Sequence, residues 1–159
     1  MEFITAFFGE NIGLILGGLG VAFATFMAGT GSAIAVGMAG ESASALVKEK
    51  PELFGQALVL QLLPATQGLY GFVMGLLILL NLEPGMSAST GWYYFMCSLP
   101  VGIAGYTSAP YQARASIAGM QILAQRPENA TQGIVFSAMV ETYAILGLVI
   151  SILMFLFGN

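Results

Sequence analysis

Four long apolar blocks set the plan of this chain. Asn11–Gly40, Leu53–Leu82 and Pro84–Ala113 each run for 30 residues without a charge, and Asn129–Asn159 holds one, Glu141. Polar punctuation separates the blocks: Lys48-Glu49-Lys50-Pro51-Glu52, Glu83-Pro84-Gly85-Met86-Ser87 and Arg126-Pro127-Glu128. A helix crosses a bilayer with about 20 mostly apolar residues. The pattern therefore predicts an all-α membrane protein with four transmembrane helices, at about 11–47, 53–82, 90–124 and 129–157. Proline followed by an acid suits the first turn of a helix, where the missing N–H costs nothing and the macrodipole favours negative charge. The first block has Glu2 and Glu10 before it rather than basic residues, and it is too long for a signal-peptide core. It is expected to stay in the mature protein as a span.

The two halves are copies of one hairpin. A shift of 76 residues superposes Pro51-Glu52 on Pro127-Glu128 and matches Ala28/Ala104, Gly29/Gly105, Ser32/Ser108, Gln56/Gln132, Thr66/Thr142 and Gly71/Gly147. Two tandem helical hairpins are expected, 1–82 and 83–159, with the same topology. Their helices are unequal. In the first span Ala24, Ala28 and Ser32, and beside them Gly29, Ala33 and Gly37, recur every four residues; the third span has Gly105, Ala109 and Ala113. Small residues at that spacing let backbones approach closely in lipid. The second and fourth spans carry bulkier Leu, Ile, Val, Met and Phe. The odd helices should pack tightly together and the even ones face lipid, which suits a tapered subunit in a homo-oligomeric ring.

Charge and composition narrow the function. Only 8% of the residues are charged, as four cations and eight acids, against roughly 25% in ordinary globular chains. Four cations leave no basic footprint for nucleic acid. With no His, a histidine triad or zinc site is excluded, and the single Cys97 excludes thiolate clusters and internal disulfides. Cys97 reads as a small buried hydrophobe. Lys48, Lys50 and Arg126 fall in the first and third linkers. The positive-inside rule makes linkers 48–52 and 125–128 cytoplasmic and puts both termini on the opposite side.

Glu141 is the acid that needs a reason. It lies 13 residues past Glu128, or about 20 Å along a helix, close to mid-membrane. A charge there costs at least about 2.5–3.5 kcal/mol and is by default a functional candidate. The competing reading is a protonated structural Glu bonded between helices. Under the 76-residue shift its counterpart is Ala65, so the hairpin itself does not need the acid.

Other polar groups collect at that depth. Leu63, Thr66, Gln67 and Tyr70 follow the i, i+3, i+4, i+7 spacing of one helix face. Pro64 should kink the helix, freeing the Leu60 carbonyl and loosening that of Leu63. Gln112 is 14 residues before Arg126, and Thr142 follows Glu141 but about 100° around the helix, a possible secondary contributor. Singly, Thr66, Gln67 and Gln112 read as interhelical hydrogen bonds. Together with Glu141 they offer the oxygen ligands that hard cations prefer, which favours Na⁺ over H⁺ as the bound ion. Tyr70 is expected to orient or cover the carboxylate. Arg114, two residues from Gln112, should point the opposite way, with Glu41 a candidate partner one turn off.

The runs Leu63-Pro64-Ala65-Thr66-Gln67-Gly68-Leu69-Tyr70-Gly71-Phe72 and Ala138-Met139-Val140-Glu141-Thr142-Tyr143-Ala144-Ile145-Leu146-Gly147, with Gln112, carry a family resemblance. The chain resembles the proteolipid rotor-ring subunits of V-type ATPases, above all the bacterial Na⁺-translocating form. The similarity covers essentially the whole chain. It implies a ring of identical subunits in a bacterial cell membrane. It also implies Na⁺ held by the Leu63 carbonyl, Thr66, Gln67, Gln112 and Glu141, with Tyr70 bonded to the carboxylate. The implied partners are a stator subunit with an essential arginine, central-stalk subunits at the cytoplasmic linkers, and lipid. Segment 106–111 departs from the family's usual pattern. The chain has no Gly-rich phosphate loop with a Lys, so it is expected not to hydrolyse ATP itself. The alternatives are an H⁺-translocating proteolipid of the same fold, a channel-forming four-helix protein with Glu141 lining a pore, and a non-transporting assembly subunit.

Overall fold

The computed structural model describes residues 2–158, those before Asn11 by their backbone alone. All the regular structure among them is helical: α1 (Glu2–Glu49), α2 (Phe54–Leu62), α3 (Thr66–Leu79), α4 (Ala88–Gln125) and α5 (Ala130–Phe157). A 3-10 turn at Leu63–Ala65 joins α2 to α3, so these two form one interrupted rod. The chain thus makes four rods, one for each apolar block.

Prolines end the rods because the residue before a proline avoids the helical region. Lys50 (φ −133°, ψ 74°) and Arg126 (φ −142°, ψ 79°) take nearly the same extended backbone. Each leads into a 3-10 turn, Pro51–Leu53 and Pro127–Asn129, that opens the next rod. The Lys50 ammonium donates to the Ala124 carbonyl near the C-terminus of α4, a favourable place for a cation, and so ties the two linkers together at one end of the bundle. At the other end Gly85 (φ 79°) makes the left-handed turn. Ser87 then caps α4, its Oγ accepting the Thr90 amide at 3.1 Å.

Some boundaries differ from the sequence expectation. α1 starts at Glu2 rather than near 11, because neither Glu10 nor Asn11 breaks a helix. α4 starts two residues sooner than expected because Ser87 supplies the cap. Pro100 and Pro110 both lie inside α4 without ending it, in keeping with the expected span at 90–124.

α1 and α4 make the most extensive contact; α5 packs on α4 and α3 on α1. The small-residue helices are therefore central. Ala24, Ala28, Ser32, Ala35, Ala39 and Ala43 of α1 are buried, as are Ala109 and Ala113 of α4. A Cβ at Gly31 would come within 2.6 Å of the Tyr106 Cα, so only glycine lets these backbones meet. Ala33 and Gly37, from the second small-residue row, point outward instead. The even rods expose Leu69, Phe72, Leu80, Phe136, Met139, Leu146 and Leu156, as a chain bathed in lipid should.

Among the described residues three stretches are long and apolar enough to cross a membrane: Asn11–Glu49, Pro51–Leu79 and Pro127–Phe157. α4 matches them in length but is more polar. Its Ser98, Ser108, Gln112 and Ser116 are buried against neighbours, so the excess polarity faces protein. Packed between α1 and α5, it crosses with them as the fourth span of an integral membrane protein.

Candidate ion-binding site

The break between α2 and α3 builds one wall of the site. Pro64 has no N–H to give, so the helix tightens to a 3-10 turn and restarts at Thr66. The Leu63 carbonyl accepts both the Thr66 amide and the Thr66 hydroxyl, the latter at 3.0 Å. Thr66 Oγ1 lies 3.5 Å from Gln67 Oε1. A restarting helix leaves its first amides without partners. Ser32, on α1, supplies one: its Oγ accepts the Gly68 amide at 2.7 Å and donates to the Ala65 carbonyl at 3.3 Å.

From that wall a chain of polar contacts runs across three rods. Gln67 Nε2 donates to Gln112 Oε1, and both side chains are 0% exposed. Gln112 Nε2 donates to Glu141 Oε2 at 3.4 Å. The Tyr70 hydroxyl donates to Glu141 Oε1. Both carboxylate oxygens of the partly buried Glu141 therefore have donors, and two buried amides have found partners, as buried polar groups must. One turn away on α4 and α5, Ser116 and Ser137 share a bond of 2.8 Å that pins the two helices beside Gln112 and Glu141.

The residues placed at one depth by counting along the sequence are thus brought together: Leu63, Thr66, Gln67, Tyr70, Gln112 and Glu141. Thr142 is not. It is exposed, and its hydroxyl donates to the Met139 carbonyl of its own helix at 2.7 Å. The suggested Glu41–Arg114 pair does not form. Both side chains are exposed, and Arg114 instead lies 5.4 Å from the Tyr111 ring centroid, three residues back on α4. It does point away from Gln112, which is buried. Ser32 is legible in the sequence only as a member of the small-residue row. A lone hydroxyl among alanines, facing a proline break, is the signal for its second role.

Chemically, the site gathers one carboxylate, two amides, a threonine hydroxyl and a backbone carbonyl. Among the described residues no three His, Cys, Asp or Glu side chains gather. A single carboxylate balances a single positive charge. Uncompensated charge is expensive in lipid, so the arrangement suits one monovalent cation or one proton.

The family model for the C subunit of ATP synthase matches residues 19–78 and again 95–154, at starts 76 residues apart. V-type sodium ATPase subunit K of Enterococcus hirae is 54% identical over 147 residues, covering 92% of this chain and 94% of that protein. A-type ATP synthase subunit K of Methanocaldococcus jannaschii is 41% identical over 141 residues, covering 89% of this chain and 62% of the longer relative. With two matches that together span most of its length, the chain belongs to the ATP synthase C-subunit family.

Proposed function

We propose that this chain is a rotor-ring subunit of a V-type ATPase and carries one Na⁺ at Glu141. The observation that carries the reading is the polar chain from Gln67 through Gln112 to Glu141, closed by Tyr70, within otherwise apolar rods. The 54% identity to a V-type sodium ATPase subunit K supports it. Na⁺ is cargo, held by the Glu141 carboxylate, the Gln67 and Gln112 amide oxygens, the Thr66 hydroxyl and the Leu63 carbonyl.

The chemistry follows from charge. An ionised Glu141 cannot cheaply face lipid. With Na⁺ bound the site is neutral and can turn through the bilayer as part of a ring of identical subunits. At a stator subunit bearing an arginine, the carboxylate exchanges its ion for that cation and gives the Na⁺ to an aqueous path. ATP is hydrolysed in other subunits; this chain binds and releases the ion. The linkers at 48–52 and 125–128 face the cytoplasm of a bacterial cell and meet the central stalk, a reading supported by Lys48, Lys50 and Arg126. The Lys50–Ala124 bond holds both linkers at that end.

Carbodiimide labelling of Glu141 in the extracted ring tests this. Na⁺ at fixed pH is expected to protect Glu141, because a carboxylate holding Na⁺ is unprotonated and unreactive. Labelling insensitive to Na⁺ but suppressed at high pH would make H⁺ the cargo. Conductance from the purified chain alone would make it a channel instead.

A further inference from the structure

Ser32 lies outside the ion-binding set, yet it holds the element that presents that set. α3 begins after Ala65, so Gly68 is its third residue and its amide has no partner within the helix. In an ordinary helix start, a serine at the cap accepts that amide. Here the preceding residues are Pro64 and Ala65, and neither has a side-chain acceptor. Ser32 reaches in from α1, accepts the Gly68 amide at 2.7 Å and donates to the Ala65 carbonyl at 3.3 Å. Those two backbone groups bracket Thr66 and Gln67. The hydroxyl fits because position 68 is glycine: a Cβ there would lie 3.2 Å from both Ser32 Cβ and Oγ.

The duplicated half gives a comparison within the same chain. Ser108 is the repeat counterpart of Ser32, and Val140 is the counterpart of Pro64. α5 runs unbroken there, and the buried Ser108 hydroxyl has no hydrogen-bond partner. The serine is therefore engaged only where the facing helix is interrupted. The interruption occurs in the half that supplies Leu63, Thr66 and Gln67.

We propose that Ser32 is a positioning residue for the ion site: its hydroxyl caps α3 from the neighbouring helix and fixes where Thr66 and Gln67 present their oxygens. The inference rests on the Na⁺-carrier reading above. It predicts that Ser32 sets ion affinity without touching the ion.

The test uses the intact detergent-extracted ring and three variants. Ser32→Ala removes both bonds, and Ser32→Thr restores a hydroxyl. Ser151→Ala is the structural control; it removes a buried serine that accepts the Val101 amide at 3.1 Å, far from Glu141. The readouts are the Na⁺ concentration that half-protects Glu141 from carbodiimide, the labelling rate without Na⁺, and the ring's thermal midpoint. Ser32→Ala is expected to raise the half-protecting Na⁺ about tenfold while the Na⁺-free labelling rate stays at wild type. Ser32→Thr should return the Na⁺ value most of the way, and Ser151→Ala should leave it unchanged. A merely structural serine would lower the thermal midpoint in Ser32→Ala and Ser151→Ala alike with no Na⁺ shift in either, and that result overturns the proposal. So does a Ser32→Ala ring that does not assemble while Ser32→Thr assembles with altered Na⁺ protection. Wild-type labelling that ignores Na⁺ would overturn the carrier reading, and the Ser32 role with it.

Discussion

Tyr70→Phe isolates the one donor that reaches Glu141 from the interrupted rod. The substitution keeps the ring's volume and removes only the hydroxyl that donates to Glu141 Oε1. Na⁺ needs the ionised carboxylate, whereas a bound proton neutralises it. A donor bonds an ionised partner at about 1.5–3 kcal/mol and a neutral one at about 1 kcal/mol. Removing it therefore costs the Na⁺-competent form about 0.5–2 kcal/mol relative to the protonated form, or about 2- to 30-fold in the Na⁺ needed at fixed pH. Gln112 still donates to the other carboxylate oxygen and shares the charge, so the expected shift is in the lower part of that range, about three- to tenfold. The assay is Na⁺ protection of Glu141 from carbodiimide in the extracted ring, with the Gln112 contact to Oε2 left intact. An unchanged or lower Na⁺ requirement would refute the reasoning, since the hydroxyl would then not be favouring the ionised form.

Two further outcomes follow from packing and charge. Gly133→Ala should lower the ring's thermal midpoint: the new Cβ would stand 2.6 Å from the Gly119 Cα and 3.1 Å from its carbonyl, backbone that cannot rotate away. Overpacking at about 1–3 kcal/mol outweighs the roughly 1 kcal/mol that alanine gains over glycine in a helix, and a raised midpoint would contradict this. Arg114→Ala should leave Na⁺ protection within about twofold of wild type, because the guanidinium lies over Tyr111 rather than at the site, an exposed contact worth about 0.5–1 kcal/mol. A larger shift in ion preference would place Arg114 in the site's field after all.

Much of the architecture is legible in the sequence. Charges gathered at the linkers and the N-terminal end mark the rods, with Glu41, Arg114 and Glu141 the exceptions within them, and counting from Glu52, Arg126 and Glu128 puts Gln67, Gln112 and Glu141 at one level. The repeat also foretells the matching Lys50 and Arg126 breaks. Depth is legible because a helix advances by a fixed rise; direction is harder. Thr142 is one residue from Glu141, yet the helix turns it outward to its own Met139 carbonyl. Arg114 and Glu41 are close in depth, but each points away from the bundle. The expected 90–124 span already runs through Pro100 and Pro110, as α4 does, but the pattern does not show that near Pro100 Ser151 of α5 accepts the Val101 amide. That bond joins residues 50 apart in the chain. Ser32 is hidden for the same reason, since its partners are a first-turn amide and a carbonyl on another rod. Local pattern marks a break but does not say which neighbour will repair it.

The two halves also differ in a way that bears on stoichiometry. Both have the hairpin, and both carry the serine, the threonine and the proline-led linker. Only the second has the carboxylate, with Ala65 at the equivalent place in the first. The proposed carrier reading therefore predicts one ion per chain, although the chain contains two copies of the fold. The most direct measurement is the Na⁺ bound per chain by the purified ring, read with ²²Na⁺ at saturating concentration in wild type and in Glu141→Gln. One ion per chain in wild type and none in the variant is the expected result. No bound Na⁺ in the wild type, or an amount that Glu141→Gln leaves unchanged, would contradict it.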